Sequence, residues 1–431
     1  METRRTNPLV HLLASALAMQ ALLSGVSLVV GLIMIRRASD LQYGYYVLIL
    51  NGFMLAVGLQ AAYIQPNLVV RITRSNASER ADLIGGLYRD QRRLWPLIPC
   101  LVAIPTLVLW VSGVVKASPA FVLIAASVSV SFVLYREFFR MVLLNSRKPV
   151  EVLVSDAVYA VLLVGGVLLA TTTQASAAVA TLTMGIAALV GGLLCSRALW
   201  RFEAWNIRGA PGILRAIAPV GTWSAGGSAV HWLFSQGYSY LVAGMLNVPA
   251  VAAIAATRLT VMPINLLSTG LGTVMLPTAA AWLHAHGAPR VFRRMLLIAL
   301  GLSVVAICYC ALAWVARDWL FTYVLKKQLP QRDELLLMWF AIALAMLLRD
   351  QLIYLLAVRE RLRWTSTLTF FSALVSIAVS YFGIAYFGVI GALTGILVGE
   401  ILNVSGLIFL SIMELRRPVA AAQSQTHGQA Q

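Results

Sequence analysis

Charged residues are scarce in this chain, and acidic ones are the scarcest. Only 11% of the 431 residues are charged, with 33 lysines and arginines against 16 aspartates and glutamates, for a net charge of +17. Soluble domains carry about 25% charged residues. The chain is instead 60% hydrophobic, with a mean hydropathy of +0.84. This composition argues against a soluble domain and predicts a polytopic membrane protein.

Cysteine and the common catalytic motifs are also sparse or missing. The four cysteines all fall within apolar runs, without metal-ligand spacing or a disulfide framework. The sequence contains no Walker A, GxSxG or HExxH pattern, so we expect no enzyme activity, no cofactor and no metal. The basic residues occupy short loops between apolar runs, which favours retention on the inner side of a membrane and speaks against nucleic-acid binding.

Apolar runs of about 20 residues predict twelve membrane-spanning helices. Their expected ranges are 11–35, 45–70, 94–115, 120–144, 152–171, 176–199, 217–244, 250–282, 294–316, 335–357, 365–386 and 389–413. With the N-terminus inside, 22 lysines and arginines fall in inner connections and seven in outer ones. This asymmetry predicts that both termini are cytoplasmic and that the protein is a multi-pass protein of the cell inner membrane.

A glycine–proline break at residues 208–212 separates the first six spans from the last six. We therefore expect an all-α protein with an N-terminal lobe at 1–206 and a C-terminal lobe at 207–418. Residues 419–431 are rich in alanine, glutamine and serine, which predicts a disordered cytoplasmic tail.

One arginine interrupts the apolar run at residues 249–282. Counted from Pro249 at ~1.5 Å per residue, Arg258 lies ~14 Å into a layer ~30 Å thick, close to the midplane. A cation there costs at least ~3 kcal/mol unless it faces water, protein or an anion. Two interpretations remain open: Arg258 binds an anionic substrate, or it pairs with a buried carboxylate that fixes helix packing.

Three further arginines are candidates for substrate binding. Arg136 and Arg140 share one helix face, where they either receive a phosphate group or pair with acidic neighbours such as Glu137 and Asp156. Arg349 is adjacent to Asp350 in the tenth span. The two side chains project about 100° apart and need not pair.

Three residues are candidates for ion coupling. Glu400 falls near the middle of the last span, where it either responds to protons or serves as the counter-ion of Arg258 or Arg349. Asp350 is the second candidate carboxylate. His231 lies in the seventh span, where a lone histidine acts as a proton carrier or as a hydrogen-bonded packing residue.

Several stretches resemble a known family of transporters. Residues 36–72 (RRASDLQYGYYVLILNGFMLAVGLQAAYIQPNLVVRI), 255–281 (AATRLTVMPINLLSTGLGTVMLPTAAA) and 387–402 (FGVIGALTGILVGEIL) are similar to the second, eighth and last spans of polysaccharide-exporter flippases. Residues 136–159 resemble their connection between spans four and five. This group of O-antigen-type, lipid-linked oligosaccharide flippases is part of the multidrug/oligosaccharidyl-lipid/polysaccharide (MOP) exporter superfamily.

The resemblance implies a MATE-like fold of two six-helix lobes around a cationic cavity that opens alternately to each face of the membrane. It also implies a cargo, an undecaprenyl-diphosphate-linked oligosaccharide for exopolysaccharide, capsule or O-antigen biosynthesis. Arg258 is the position that best suits binding of the diphosphate. The expected partners are this anionic lipid-linked sugar, membrane lipids, and a polysaccharide polymerase with other assembly proteins.

Two alternatives remain. A cation-coupled multidrug antiporter of the same superfamily usually carries a carboxylate in the first span, and residues 9–35 contain none. A membrane glycosyltransferase, either a polysaccharide polymerase or a ligase, generally needs a sizeable outer loop. The longest outer connection, residues 317–334, is short for that purpose.

Overall fold

The computed structural model describes residues 8–202, 205, 209, 211–359 and 361–415. Within these ranges every regular element is a helix, and no strand is present. The α-helices are α1 (Pro8–Arg37), α2 (Asp40–Arg74), α3 (Ala77–Leu94), α4 (Leu97–Val111), α5 (Ala117–Asn145), α6 (Pro149–Ala170), α7 (Ser176–Phe202), α8 (Ile213–Met245), α9 (Val248–Leu259), α10 (Met262–His286), α11 (Ala288–Val315), α12 (Arg317–Trp319), α13 (Arg332–Val358), α14 (Leu362–Phe387) and α15 (Val389–Leu415). A π-helical turn, Leu320–Leu325, follows α12.

Short polar caps and glycines set the ends of these helices. Asn76 and Glu79 form a reciprocal capping box at the start of α3, with hydrogen bonds of 2.9 and 3.1 Å. Gly287 and Gly388 have φ angles of 76° and 59° between consecutive helices. Glycine adopts this left-handed conformation without a steric penalty, so the chain can reverse within one or two residues.

The helices have the length and composition of membrane spans. Ten of them, counting the α3–α4 stretch as one, are long and apolar enough to cross a bilayer, and a bent pair of helices would bring the number to eleven. The helix α8, which covers the predicted seventh span, is not among the ten. The chain is a multi-pass membrane protein, and the full set of twelve spans and the cytoplasmic termini stay predictions.

Two elements differ from the sequence-based expectation. The structure extends the third predicted span upstream, because α3 is helical where an inner loop was expected. The predicted eighth span, 250–282, is divided into two helices, because α9 and the start of α10 meet at an angle of 58°. Pro263 follows the break directly, and proline cannot donate the backbone hydrogen bond that would continue a helix.

The described residues divide into two compact units. Unit 1 comprises residues within 1–232, 247–256 and 324–327, and unit 2 comprises those within 233–246, 257–323 and from 328 onward. In unit 2, α14 and α15 approach so closely that a Cβ on Gly391 would stand 2.0 Å from the Gly383 carbonyl oxygen. Small residues permit such contact, which is a common source of stability between helices in lipid.

In unit 1, α3 holds the connection that leads into α8. The Asp90 carboxylate accepts hydrogen bonds from the backbone N–H groups of Gly212 and Leu214, at 3.0 to 3.1 Å. A Cβ on Gly209 would stand 2.6 Å from the backbone nitrogen of Gly86. The expected lobe boundary at 206/207 and the predicted tail, 419–431, both lie outside the described residues and stay predictions.

Candidate functional site

Arg258 lies in the last turn of α9, directly before the break between α9 and α10. It is half-buried. Its Nη1 donates a hydrogen bond of 2.9 Å to Oε1 of Gln236 and lies 3.5 Å from the Tyr238 hydroxyl. The guanidinium carbon lies 5.3 Å from the centre of the Trp339 ring, within the range of a cation–π interaction. All of these partners belong to unit 2.

All of these contacts of Arg258 are with uncharged groups. Among the described residues, no carboxylate oxygen lies within 4.0 Å of its guanidinium nitrogens. A guanidinium has five N–H donors, two of them on Nη1. Both hydrogen-bond contacts of Arg258 involve Nη1. The three donors on Nε and Nη2 make no hydrogen bond within the described part of the chain. This edge has the two-pronged geometry that binds a carboxylate or phosphate.

Arg136 and Arg140, in contrast, are paired with carboxylates. Arg136 Nη2 lies 2.6 Å from Asp156 Oδ1, and Arg140 Nε lies 3.2 Å from Asp156 Oδ2. Arg140 Nη1 also reaches Glu137, at 3.1 Å, and the Arg136 guanidinium lies 4.0 Å from the centre of the Tyr159 ring. The Asp156 side chain is completely buried. Of the two interpretations of these arginines, their ion pairs match the acidic-neighbour one, and their substrate role stays a prediction.

Arg349 is also paired, with two carboxylates of unit 2. Its Nη1 lies 2.6 Å from Glu400 Oε1, which makes Glu400 the counter-ion of Arg349 and not of Arg258. Its Nε and Nη2 reach Asp350 Oδ1, at 3.2 and 3.0 Å, because the long arginine side chain folds back to its neighbour. Ser268 donates to the other Asp350 oxygen at 2.8 Å.

The group formed by Arg349, Asp350 and Glu400 has one more formal negative charge than positive. The second Glu400 oxygen, Oε2, is buried and has no hydrogen-bond partner within the described residues. A buried carboxylate oxygen without a donor is costly, so the group is suited to take up a proton or a cation. His231, the third candidate for ion coupling, is an exposed residue of α8, whereas Glu400 is buried.

No set of three or more histidine, cysteine or acidic side chains in the described ranges has the geometry of a metal site. The four cysteines are free thiols.

The groups that surround Arg258 were largely not predicted from the sequence. Gln236 was noticeable as a polar residue in an apolar run, whereas Tyr238 and Trp339 carry no signal in a single sequence that would connect them to Arg258.

Comparison with known proteins identifies the fold. No family model and no curated protein matches the sequence. Solved structures do match, among them the lipid II flippase MurJ in an inward closed conformation, with a TM-score of 0.75 at 11% identity over 95% of this chain and 89% of that one.

MATE transporters match as well. An inward-facing multidrug resistance MATE family transporter of the MOP superfamily gives a TM-score of 0.71 at 15% identity, covering 94% of this chain and 96% of that one. An outward-facing form gives 0.63 at 14% identity, covering 98% and 100%. The chain is therefore similar in fold to MATE transporters and to the lipid II flippase MurJ.

Proposed function

We propose that this protein is a flippase of the cell inner membrane that moves a negatively charged, lipid-linked oligosaccharide from the cytoplasmic to the outer leaflet. The cargo is an undecaprenyl-diphosphate-linked repeat unit for exopolysaccharide, capsule or O-antigen synthesis. The protein works by binding and alternating access, and no covalent bond is made or broken. A polysaccharide polymerase and other assembly proteins are the proposed partners.

The observation that carries this proposal is the charge state around Arg258. The other arginines at the candidate positions are neutralised by carboxylates, but Arg258 is held by Gln236, Tyr238 and Trp339, which orient the guanidinium without neutralising it. A fixed positive charge in a region of low dielectric constant attracts an anion strongly. A diphosphate supplies the charge and the paired oxygens that the free edge of Arg258 can bind.

The same role is proposed, at a lower priority, for Arg136, Arg140 and Arg349. Each of these arginines would have to exchange a carboxylate for the phosphate of the substrate. Breaking a buried ion pair is expensive, so these residues are expected to contribute less to affinity than Arg258 does. Among them, Arg140 retains a side-chain exposure of 17%, compared with 8% for Arg136 and Arg349.

Glu400, Asp350 and His231 are the proposed ion-coupling residues. Glu400 and Asp350 supply the excess negative charge beside Arg349. A proton or monovalent cation that neutralises this excess would loosen the hold of the carboxylates on Arg349. Ion binding would in this way be linked to the conformation of unit 2.

The test uses a strain in which this protein supports production of a surface polysaccharide. Arg258→Ala is expected to reduce surface polysaccharide by about tenfold or more while the variant inserts in normal amounts, and Arg258→Lys is expected to retain more of the activity because it keeps the charge. Lipid-linked repeat units should accumulate on the inner leaflet of the Arg258→Ala strain. Normal export by the Arg258→Ala variant would show that Arg258 has a structural role only.

The similarity in fold to MATE transporters supports a second candidate, a cation-coupled multidrug antiporter. A positive site such as Arg258 favours an anionic cargo and disfavours a cationic one, so a cationic compound serves to separate the two functions. Efflux of a cationic dye from cells that overproduce the protein, unaffected by Arg258→Ala, would favour the antiporter.

A further inference from the structure

The break between α9 and α10 rearranges the backbone hydrogen bonds next to Arg258. The N–H groups of Thr260, Val261 and Ile264 each donate to a carbonyl three residues earlier, at 3.1 to 3.2 Å. A regular α-helix would use carbonyls four residues earlier. Ile264 therefore donates to the Val261 carbonyl, and the Thr260 carbonyl loses the partner that a continuous helix would give it.

Tyr309, from α11, supplies the missing partner. Its hydroxyl donates a hydrogen bond of 2.7 Å to the Thr260 carbonyl oxygen. Thr260 is buried, and its own hydroxyl donates to the Thr257 carbonyl at 2.6 Å, which leaves the Tyr309 hydroxyl as the donor to the freed oxygen. A membrane interior offers little water to replace such a donor, so the hydrogen bond specifically stabilises the bent form.

We infer that Tyr309 is a positioning residue for Arg258: its hydroxyl holds the α9–α10 bend, and the bend sets the direction of the guanidinium. Arg258 is separated from the Thr260 carbonyl by one residue, and its own carbonyl accepts the Val261 hydrogen bond within the same turn. A straightened segment would rotate Arg258 away from Gln236 and Trp339, its present partners. The functional side of this inference rests on the proposed role of Arg258 in binding an anionic lipid headgroup.

The substitution that tests the inference is Tyr309→Phe, which removes the hydroxyl and keeps the ring. The matched control is Tyr381→Phe, at an exposed position of α14 where the same atom is removed. Both are made in full-length protein with spin labels at Pro249→Cys and Ala281→Cys, two exposed positions on either side of the break. For helical arms of these lengths, with a rise of ~1.5 Å per residue, complete relaxation of the 58° bend would lengthen the separation of the labels by ~5 Å.

Tyr309→Phe is expected to shift the distance distribution towards longer separations, and Tyr381→Phe to leave it unchanged. In proteoliposomes, Tyr309→Phe should raise the concentration of undecaprenyl-diphosphate oligosaccharide needed for half-maximal transport by about threefold to tenfold. The maximal rate and the melting temperature should stay close to those of the parent. A variant with the parental distance distribution would overturn the inference, as would one with an altered distribution and a parental half-maximal concentration.

The distance measurement and the transport assay together distinguish a failure of this inference from a failure of the proposed function. If the parent protein does not transport the lipid-linked sugar but Tyr309→Phe still relaxes the bend, the proposed substrate is wrong and Tyr309 still holds the break. If the parent transports the sugar and Tyr309→Phe changes neither measurement, the proposed function stands and the role of Tyr309 is wrong.

Discussion

The arginines of the two units are stabilised in opposite ways. In unit 1, Arg136 and Arg140 share a cluster with Asp156 and Glu137 in which two positive and two negative formal charges cancel. In unit 2, Arg258 is held by an amide, a hydroxyl and an aromatic ring, so its charge is oriented but not cancelled. The cluster in unit 1 joins α5 to α6, whereas the charge of Arg258 is the one that the proposed function assigns to the binding of an anion.

The largest effect on stability is expected from Asp156→Ala. This substitution leaves Arg136 and Arg140 with Glu137 as their remaining carboxylate, and removal of one partner from a buried ion pair typically costs ~3–5 kcal/mol. Thermal unfolding of the purified protein measures the loss. The control Asp333→Ala removes a carboxylate from a half-exposed ion pair and should cost less than ~1 kcal/mol. If Asp156→Ala and Asp333→Ala reduce stability equally, the unit 1 cluster does not have this structural role.

Arg258→Ala is expected to show the opposite pattern. Stability should fall by only ~1 kcal/mol, because the buried Gln236 amide oxygen loses its donor but no carboxylate is left unpaired. Transport should fall by about tenfold to a hundredfold, the equivalent of one charged hydrogen bond of ~1.5–3 kcal/mol. A proteoliposome assay measures it, with Arg290→Ala at an exposed position of α11 as the control. An Arg258→Ala variant that unfolds as readily as Asp156→Ala would erase the contrast between the two units.

Arg349 lies between these two cases, and Glu400→Gln tests it. The amide oxygen of glutamine can still accept from Arg349, and Asp350 still neutralises the guanidinium, so stability should fall by only ~1–2 kcal/mol. If Glu400 couples transport to an ion, the variant should also lose its response to an imposed proton or sodium gradient. Glu334→Gln, at the exposed start of α13, should keep that response. If transport by the Glu400→Gln variant still responds to the imposed gradient, Glu400 is not an ion-coupling residue.

The smallest effect is expected from Gln236→Leu, which removes the 2.9 Å hydrogen bond to Arg258 without altering any charge. Loss of this orienting contact should reduce transport by about twofold to tenfold, in line with one hydrogen bond to a charged group. The matched control is Gln20→Leu, at an exposed position of α1. Unchanged transport in Gln236→Leu would mean that the neutral partners do not orient Arg258.

Much of the helical framework could be predicted from the sequence, because long apolar runs are strong signals. The α3 helix was missed because it is not an apolar run: its apolar residues recur on one face only, and Leu83, Ile84 and Leu87 are buried. The Asn76–Glu79 capping box could have revealed its start. The break after Arg258 was missed because a proline within an apolar run does not show whether a helix bends or stops.

The partners of the arginines were only partly predictable. The acidic residues near Arg136 and Arg140 could be named, since they lie within about twenty positions in the sequence. Glu400 is 51 residues from Arg349, and the choice between Arg349 and Arg258 as its counter-ion needed the tertiary structure. The contacts of Arg258 with Tyr238 and Trp339, and that of Thr260 with Tyr309, arise from helix packing, which a single sequence does not encode visibly.

In the proposed function, the uncompensated charge of Arg258 binds a diphosphate. The most direct measurement is the equilibrium affinity of undecaprenyl diphosphate, without sugar, for the full-length protein in nanodiscs. We expect saturable binding by the parent, weakened about tenfold or more by Arg258→Ala and much less by Arg258→Lys. Equal affinities for the parent and Arg258→Ala would contradict this role of Arg258.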